Sequence, residues 1–221
     1  MSPKLSRDFY LRSDTLRVAR DLLGKLIVVP DDKGHRVSGM IVETEAYLGE
    51  IDRSAHSYNG RRTPRNEVTY GVGGYAYVFF IYGMYYQLNV VCGEIDTPHV
   101  VLIRAVEPVE GIEIMRLRRR PKSEPGAAAL ALAATLQPEP TGFMPDKNLT
   151  SGPGKLCIAL DINRDFNGED LLEDRIWLED HQIFKKSQIA VGTRIGIDYA
   201  GEDANLPLRF WVKGNEFVSK K

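Results

Sequence analysis

The chain has 221 residues, 43% of them hydrophobic, and its 29 basic and 30 acidic residues leave a formal net charge of -1. This length suffices to bury the core of one large domain, and we predict a single domain over residues 1–221. The near-neutral charge excludes attraction of the whole molecule to nucleic acid or acidic lipid, so any such attraction must come from local clusters.

The N-terminus and the cysteines indicate a compartment. The first eight residues, Met-Ser-Pro-Lys-Leu-Ser-Arg-Asp, lack the apolar core of a secretory signal. Cys92 and Cys157 are too few for a disulfide framework and are not spaced as a metal pair, which favours a reducing environment. We expect a cytoplasmic location, in the bacterial cytoplasm or nucleoid, or the nucleus in a eukaryote.

A helix and a hairpin are predicted at the start of the chain. Residues 13–24 combine capping side chains, apolar residues at helical spacing and a final Gly24, which predicts a helix of about three turns. Residues 25–29 and 36–48 are β-rich runs joined by Asp-Asp-Lys-Gly at 31–34, a turn composition.

The second of these runs carries two carboxylates on one face. Side chains alternate along a strand, so Glu43, Glu45 and Tyr47 share a face. Two positions along a strand span roughly 7 Å, so each carboxylate would raise the other's pKa if both were desolvated, as suits a general base. A solvated strand face is the alternative. The nearby His56 favours a site, although single histidines are commonly structural.

The loop after His56 is basic. Arg61, Arg62 and Arg65 flank Thr-Pro at 63–64, a rigid arrangement that can hold cations toward phosphates. The alternative is that these arginines only keep the surface soluble.

Residues 75–89 hold five of the ten tyrosines and predict a β-hairpin whose turn includes Gly83, with Tyr82 and Met84 at an exposed tip. A buried pair of core strands is an alternative for most of the run. A membrane span is excluded, because about 20 apolar residues are needed and polar residues interrupt this run. An aromatic tip beside a basic loop favours nucleic acid as a partner, since such wedges and phosphate contacts work together.

The rest of the chain predicts short elements joined by turns. They are a strand at 99–105, a helix at 108–120 with a basic end, a proline-framed flexible or locally helical insertion at 123–148, a helix at 154–162, and strands at 175–179, 193–199 and 208–213. Consecutive short strands favour an antiparallel or mixed sheet. No P-loop, GxGxxG, HExxH or CxxC pattern is present, so we predict chemistry that uses neither a cofactor nor a metal.

Several sequence blocks, taken together, resemble the alkyladenine, or 3-methylpurine, DNA glycosylases. The blocks are Ile-Val-Glu-Thr-Glu-Ala-Tyr-Leu-Gly at 41–49, Ala-His-Ser at 55–57, Thr-Pro-Arg-Asn at 63–66, Tyr-Gly-Met-Tyr at 82–85, Leu-Ile-Arg-Ala-Val-Glu-Pro at 102–108, Gly-Pro-Gly-Lys-Leu-Cys at 152–157 and Pro-Leu-Arg-Phe-Trp-Val at 207–212. They run in order through most of the chain.

The resemblance implies both a fold and an activity. The fold is α+β, a single domain built on a curved, mostly antiparallel β-sheet, open-barrel or roll-like, with surrounding helices and a protruding β-hairpin. The activity is that of a monofunctional repair glycosylase that flips 3-methyladenine, 7-methylguanine, hypoxanthine or ethenoadenine out of double-stranded DNA. It hydrolyses the N-glycosidic bond and leaves an abasic site. We expect a monomer that has no membrane partner.

The resemblance also assigns the catalytic residues. The family's general base falls on Glu45 rather than Glu43, and would deprotonate a water that attacks C1′ of the flipped nucleotide. Arg104 corresponds to a residue near that water, and the carbonyl of Ile195 would be a further acceptor for it.

The pocket residues follow from the same resemblance. Tyr47, His56 and Phe79 match aromatic walls, Asn89 the residue that rejects the guanine amino group, and Leu102 an apolar neighbour. Phe79 departs from the pattern, because the better-known vertebrate member has a tyrosine there. Phenylalanine keeps the stacking face and loses the hydroxyl.

Tyr82 matches the wedge that fills the gap left by the flipped nucleotide, with Met84 beside it. The other tyrosines of the run are expected to be chiefly structural: Tyr75, Tyr77, Tyr85 and Tyr86.

Two other functions compete with this one. A non-catalytic nucleic-acid binding module would use the same hairpin and arginines but would need no pair of Glu45 and Arg104. An enzyme acting on free nucleosides or glycosides would use the two glutamates but would need no aromatic tip.

Overall fold

An eight-stranded antiparallel sheet, curled into a half-barrel, organises the computed structural model, which describes residues 2–120 and 146–220. Most of the insertion expected at 123–148 therefore lies outside the described residues. The elements are α1 (Arg7–Tyr10), α2 (Thr15–Asp21), β1 (Leu26–Val28), β2 (Ser38–Tyr47), β3 (Ala76–Ile81), β4 (Tyr85–Cys92), β5 (His99–Glu110), α3 (Ile112–Arg118), α4 (Pro153–Leu160), β6 (Trp177–Glu179), β7 (Ile189–Gly192) and β8 (Arg209–Val212).

The sheet branches at its central strand. The main order is β3-β4-β5-β2-β1-β6, and β5 runs along the whole of one edge of β2. On the other edge, the start of β2 pairs with β1 and residues Glu43 to Glu45 pair with β8, which pairs in turn with β7. The expected α+β fold with a curved, antiparallel sheet and surrounding helices is confirmed.

The predicted first helix and hairpin are confirmed with shorter bounds. In α2 the Asp14 side chain accepts a hydrogen bond from the Arg17 N–H, and Thr44 on β2 donates to the Ala19 carbonyl, which ties the helix to the sheet. The helix ends at Asp21, after two turns, because Gly24 takes a φ of +89° and leads directly into β1.

A bulge lies where β2 meets β5. Ile41 pairs with Val106, Glu43 with Ala105, and Thr44 with Ile103, so each strand has one unpaired residue, Val42 on β2 and Arg104 on β5. Bulges bend a strand and re-aim its side chains. This one brings Arg104 alongside the two glutamates of β2.

The hairpin of β3 and β4 protrudes as predicted. Ile81 pairs with Tyr85 across a three-residue turn in which Tyr82 has a φ of +52° and Gly83 a φ of +70°. The side chains of Tyr82 and Met84 are 77% and 63% exposed. The alternative of a buried strand pair is therefore wrong for the tip, although Tyr77 and Leu88 nearer the base of the hairpin are buried.

The predicted start of one helix and one predicted strand are wrong. Pro108 lies within β5 rather than at the start of a helix, and α3 begins only at Ile112. Pro108 pairs with Gly39 next to a register shift, which accommodates the missing N–H of the proline. The segment at 193–199, predicted to be a strand, is a loop that enters a 3₁₀ helix at Asp198. The preceding strand β7 ends at Gly192, and the backbone turns at Gly196 with a φ of +76°.

Within residues 2–120 and 146–220, no helix is both long enough and apolar enough to cross a membrane.

Candidate active site

A cavity of about 280 Å³ opens between the β3–β4 hairpin and the loops that follow β2 and β7. Two sheet strands, β4 and β5, form its floor. Its lining includes Tyr47, His56, Tyr77, Phe79, Tyr82, Gln87, Asn89, Leu102, Arg104, Ile195 and Tyr199. A lining that combines several aromatic rings with apolar residues and a few polar groups suits a planar ring system.

Glu45 lies directly behind this lining, fully buried. Its Oε2 accepts hydrogen bonds from the Tyr47 hydroxyl at 2.9 Å and from Arg104 at 3.2 Å, and its Oε1 accepts one from the Ile195 N–H at 2.8 Å. Burial raises the pKa of Glu45, against the opposing effects of Arg104 and these hydrogen bonds. A carboxylate has about four acceptor sites, so Glu45 can still accept from a water.

Glu43 is equally buried but is held differently. It accepts hydrogen bonds from Arg104 at 3.3 Å, from Arg209 at 2.9 Å and from the Ser219 N–H at 2.7 Å. It is not part of the cavity lining. The solvated strand face that was the alternative for both glutamates is therefore wrong, and Glu43 serves to fix two arginines.

Tyr47 is held from both ends. Its hydroxyl donates to Glu45, and the guanidinium of Arg194 lies 4.7 Å from its ring centroid. Arg194 is fully buried, forms a salt bridge with Asp52 and donates to the Ala46 carbonyl. The orientation of this wall is thus fixed by the end of β2 and by the loop after β7.

His56, Tyr77 and Phe79 form a second wall. Nδ1 of His56 lies 2.7 Å from the Tyr77 hydroxyl, and the His56 and Phe79 ring centroids are 4.5 Å apart. Desolvation within this cluster, with smaller effects of Arg65 and Arg61, lowers the pKa of His56 to about 4. His56 is therefore neutral near pH 7 and adds no positive charge to the cavity.

Asn89 and Leu102 sit opposite each other on β4 and β5, at the cavity floor. The Asn89 amide donates to the Tyr77 carbonyl at 3.2 Å, which fixes its rotation. Its Oδ1 accepts no hydrogen bond within the part of the chain that the structure describes, so this oxygen is left for a ligand.

The three loop arginines differ in their surroundings. Arg65 donates to the Phe80 carbonyl and lies 5.3 Å from the Phe79 ring centroid, at the base of the hairpin. Arg62 is bound to the carboxylates of Glu67 and Asp96. Arg61 is exposed on the same loop. Arg61 and Arg65 are thus the better placed to reach a phosphate.

Four residues of the site were missed at the level of sequence. The sequence resemblance assigns Tyr77 a structural role and Gln87 none, yet strand alternation from Phe79 and Asn89 places both on the cavity face. Arg194 and Tyr199 lie in a segment interpreted as a strand, and no local pattern marks them.

The described residues contain no group of three or more His, Cys, Asp or Glu side chains that could hold a metal ion. Cys92 and Cys157 are both buried and unpaired with each other.

Comparison with known proteins gives one consistent result. A family model described as methylpurine-DNA glycosylase matches residues 8–216. A relative from Clostridium novyi is 45% identical over 99% of both chains, and one from Clostridium acetobutylicum is 47% identical over 98% of this chain and 97% of its own. A Bacillus cereus relative is 47% identical over 96% of this chain and 97% of its own. All three carry the provisional name 3-methyladenine DNA glycosylase.

Proposed function

We propose that this chain, which belongs to the methylpurine-DNA glycosylase family, flips alkylated or deaminated purines out of duplex DNA and hydrolyses their N-glycosidic bond. Membership makes it a DNA glycosylase of alkylation repair. The observation that carries the finer proposal is Glu45, a buried carboxylate held by three donors behind a cavity whose mouth carries the exposed Tyr82.

Extrusion of the nucleotide is the first step. The glycosidic bond is inaccessible within a duplex, and flipping costs a few kcal/mol, less at a damaged or mispaired base. Tyr82 lines the cavity mouth and is 77% exposed, so it can stack in the gap that the nucleotide leaves. Stacking of an aromatic on a base is worth about 1–3 kcal/mol, which offsets much of that cost without selecting the lesion.

Selection then depends on the cavity. Alkylation at N3 or N7 makes a purine cationic, and each favourable contact of a cation with an aromatic face adds roughly 0.5–2 kcal/mol. Tyr47 and Phe79 offer such faces. The neutral state of His56 near pH 7 avoids repulsion of the bound cation.

Hydrolysis follows on the bound nucleotide. Glu45 accepts a proton from a water whose oxygen attacks C1′, and the electrons of the breaking C1′–N bond leave with the base. A purine alkylated at N3 or N7 is cationic and departs as a neutral molecule, which makes it a good leaving group. A neutral deaminated purine departs as an anion, which then takes a proton from water. Arg104, held between Glu43 and Glu45, keeps a positive charge beside the catalytic carboxylate. We expect no strand cleavage, because this reaction uses water rather than an amine.

The test is release of free base from a methylated duplex with no cofactor added. Release is expected from duplex DNA and little from free nucleosides. Lesion binding without release would instead support the binding module, and equal activity on nucleosides would support a nucleoside hydrolase.

Tyr82→Ser is expected to weaken affinity for a lesion duplex about 5- to 150-fold, because the stacking contribution of about 1–3 kcal/mol is lost. The melting temperature should stay within 2 °C or so of wild type, since exposed positions contribute little to stability. Fluorescence anisotropy with a lesion duplex measures the affinity. Ile183→Ser is the matched control, because Ile183 is 85% exposed and lies outside the cavity. Unchanged affinity of Tyr82→Ser would remove the wedge from the proposal.

The rate of release of an N3-alkylated purine is expected to rise with pH. Glu45 must be deprotonated to act as a base, and its raised pKa places the midpoint above the ordinary value of 4.5. The hydrogen bond from Tyr47 lowers that pKa, so Tyr47→Phe should move the midpoint to higher pH. Single-turnover rates between pH 4.5 and pH 8 measure both midpoints. A rate that falls with rising pH would contradict the role of Glu45 as base.

A further inference from the structure

A second amide lies beside Asn89 on the cavity face of β4. In the β3–β4 hairpin, Tyr77 pairs with Asn89 and Phe79 with Gln87, and all four residues line the cavity. Directly opposed residues of antiparallel strands point to the same face, as do residues two apart on one strand. Gln87 is therefore next to Asn89 and nearer to the hairpin tip, by about 7 Å along the strand.

The side-chain amides of Asn89 and Gln87 differ in burial and in their hydrogen-bond partners. Asn89 is 2% exposed and donates to the Tyr77 carbonyl. Gln87 is half-buried, and neither end of its amide has a hydrogen-bond partner among residues 2–120 and 146–220. A polar group that loses water when a ligand enters must gain a hydrogen bond from it, or the binding is weakened.

We infer that Gln87 is a specificity-determining residue, whose amide hydrogen-bonds the polar edge of a neutral, deaminated purine in the cavity. The inference rests on the proposed function and deepens it.

The physical reason lies in how the two classes of lesion are held. A cationic alkylated purine is attracted to the aromatic faces of Tyr47 and Phe79 by its charge. A neutral deaminated purine lacks that attraction but carries a carbonyl and ring nitrogens that an amide can bind. Sites built to hydrogen-bond a substrate discriminate by the polar groups left unpaired with the wrong one. Gln87 thus matters more for the neutral class.

The test compares Gln87→Met, which keeps the length and removes the amide, with wild type on two duplexes. One duplex carries hypoxanthine and the other an N3-alkylated purine. For hypoxanthine we expect kcat/KM to fall about tenfold, corresponding to about 1.4 kcal/mol, the size of one hydrogen bond. For the alkylated base we expect a change of less than about threefold. Gln182→Met, at an exposed position outside the cavity, should leave both values unchanged.

Each other outcome has a distinct meaning. An equal loss of kcat/KM on both substrates, or no loss on either, would overturn the inference. A melting temperature of Gln87→Met within about 2 °C of wild type would show that the fold is intact. A wild-type protein that releases the alkylated base and no hypoxanthine would overturn it too, and would restrict the proposed function to alkylated purines without removing it. A wild-type protein that releases neither base would overturn the proposed function itself.

Discussion

Replacing Glu45 with glutamine is expected to slow base release about 10²–10⁴-fold while affinity for a lesion duplex stays near that of wild type. The amide has almost the volume of the carboxylate and can still accept from the Ile195 N–H. It cannot take a proton from water, so the step that generates the nucleophile is lost. Because Glu45 lies behind the cavity lining, the surface that meets DNA is unchanged.

Single-turnover release and anisotropy with the same lesion duplex separate the two effects. Glu43→Gln is the matched control, since Glu43 is equally buried two positions away but is outside the cavity lining. We expect Glu43→Gln to lower the free energy of unfolding, because it weakens the contacts with Arg209 and the Ser219 N–H. The rate of base release by the folded protein should fall much less than it does in Glu45→Gln. A Glu45→Gln variant that releases base at the wild-type rate would exclude Glu45 as the general base.

Much of the fold is local and could therefore be predicted. The β3–β4 hairpin follows from β-rich runs on both sides of a glycine that tolerates a positive φ, and α2 from its cap and its helical spacing. The errors have non-local causes. Pro108 stays in β5 because a register shift opposite Gly39 accommodates its missing N–H. Gly39 and Pro108 are far apart in the sequence, so no local pattern predicts their pairing.

In the candidate site, too, the local features could be predicted from the sequence and the non-local ones could not. Strand alternation places two carboxylates side by side, but only the bulge between β2 and β5 puts Arg104 between them. The segment at 193–199 has the composition of a strand and forms a loop, because Arg194 is bound to Asp52 about 140 residues earlier and the Ile195 N–H is bound to Glu45. Such contacts depend on tertiary packing, which overrides local β propensity.

Arg104→Met is expected to destabilise the protein by about 3–5 kcal/mol at pH 8, because it leaves a buried carboxylate without its counter-ion. For a chain of this size that corresponds to a fall in melting temperature of roughly 6–20 °C. Glu43 keeps the cation of Arg209, whereas Glu45 keeps only the neutral donors of Tyr47 and Ile195. The uncompensated charge is therefore that of Glu45.

This assignment predicts how the loss of stability depends on pH. Without Arg104 the folded-state pKa of Glu45 rises further, since Arg104 opposes the effect of burial. The folded protein then binds a proton more tightly than the unfolded chain, so its stability falls as pH rises from the unfolded pKa, near 4.5, through the raised folded value. The difference in melting temperature from wild type should accordingly be smaller at pH 5 than at pH 8.

Arg104→Lys is the conservative control, and should recover part of the stability because it retains a positive charge, though not the planar fork that bonds both glutamates. Thermal unfolding of the three proteins at the two pH values measures the effect. A deficit of equal size at both would mean that lost packing, rather than the charge of Glu45, causes the destabilisation. A smaller deficit at pH 5 would instead identify Arg104 as the group that lets a buried Glu45 carry the negative charge a general base requires.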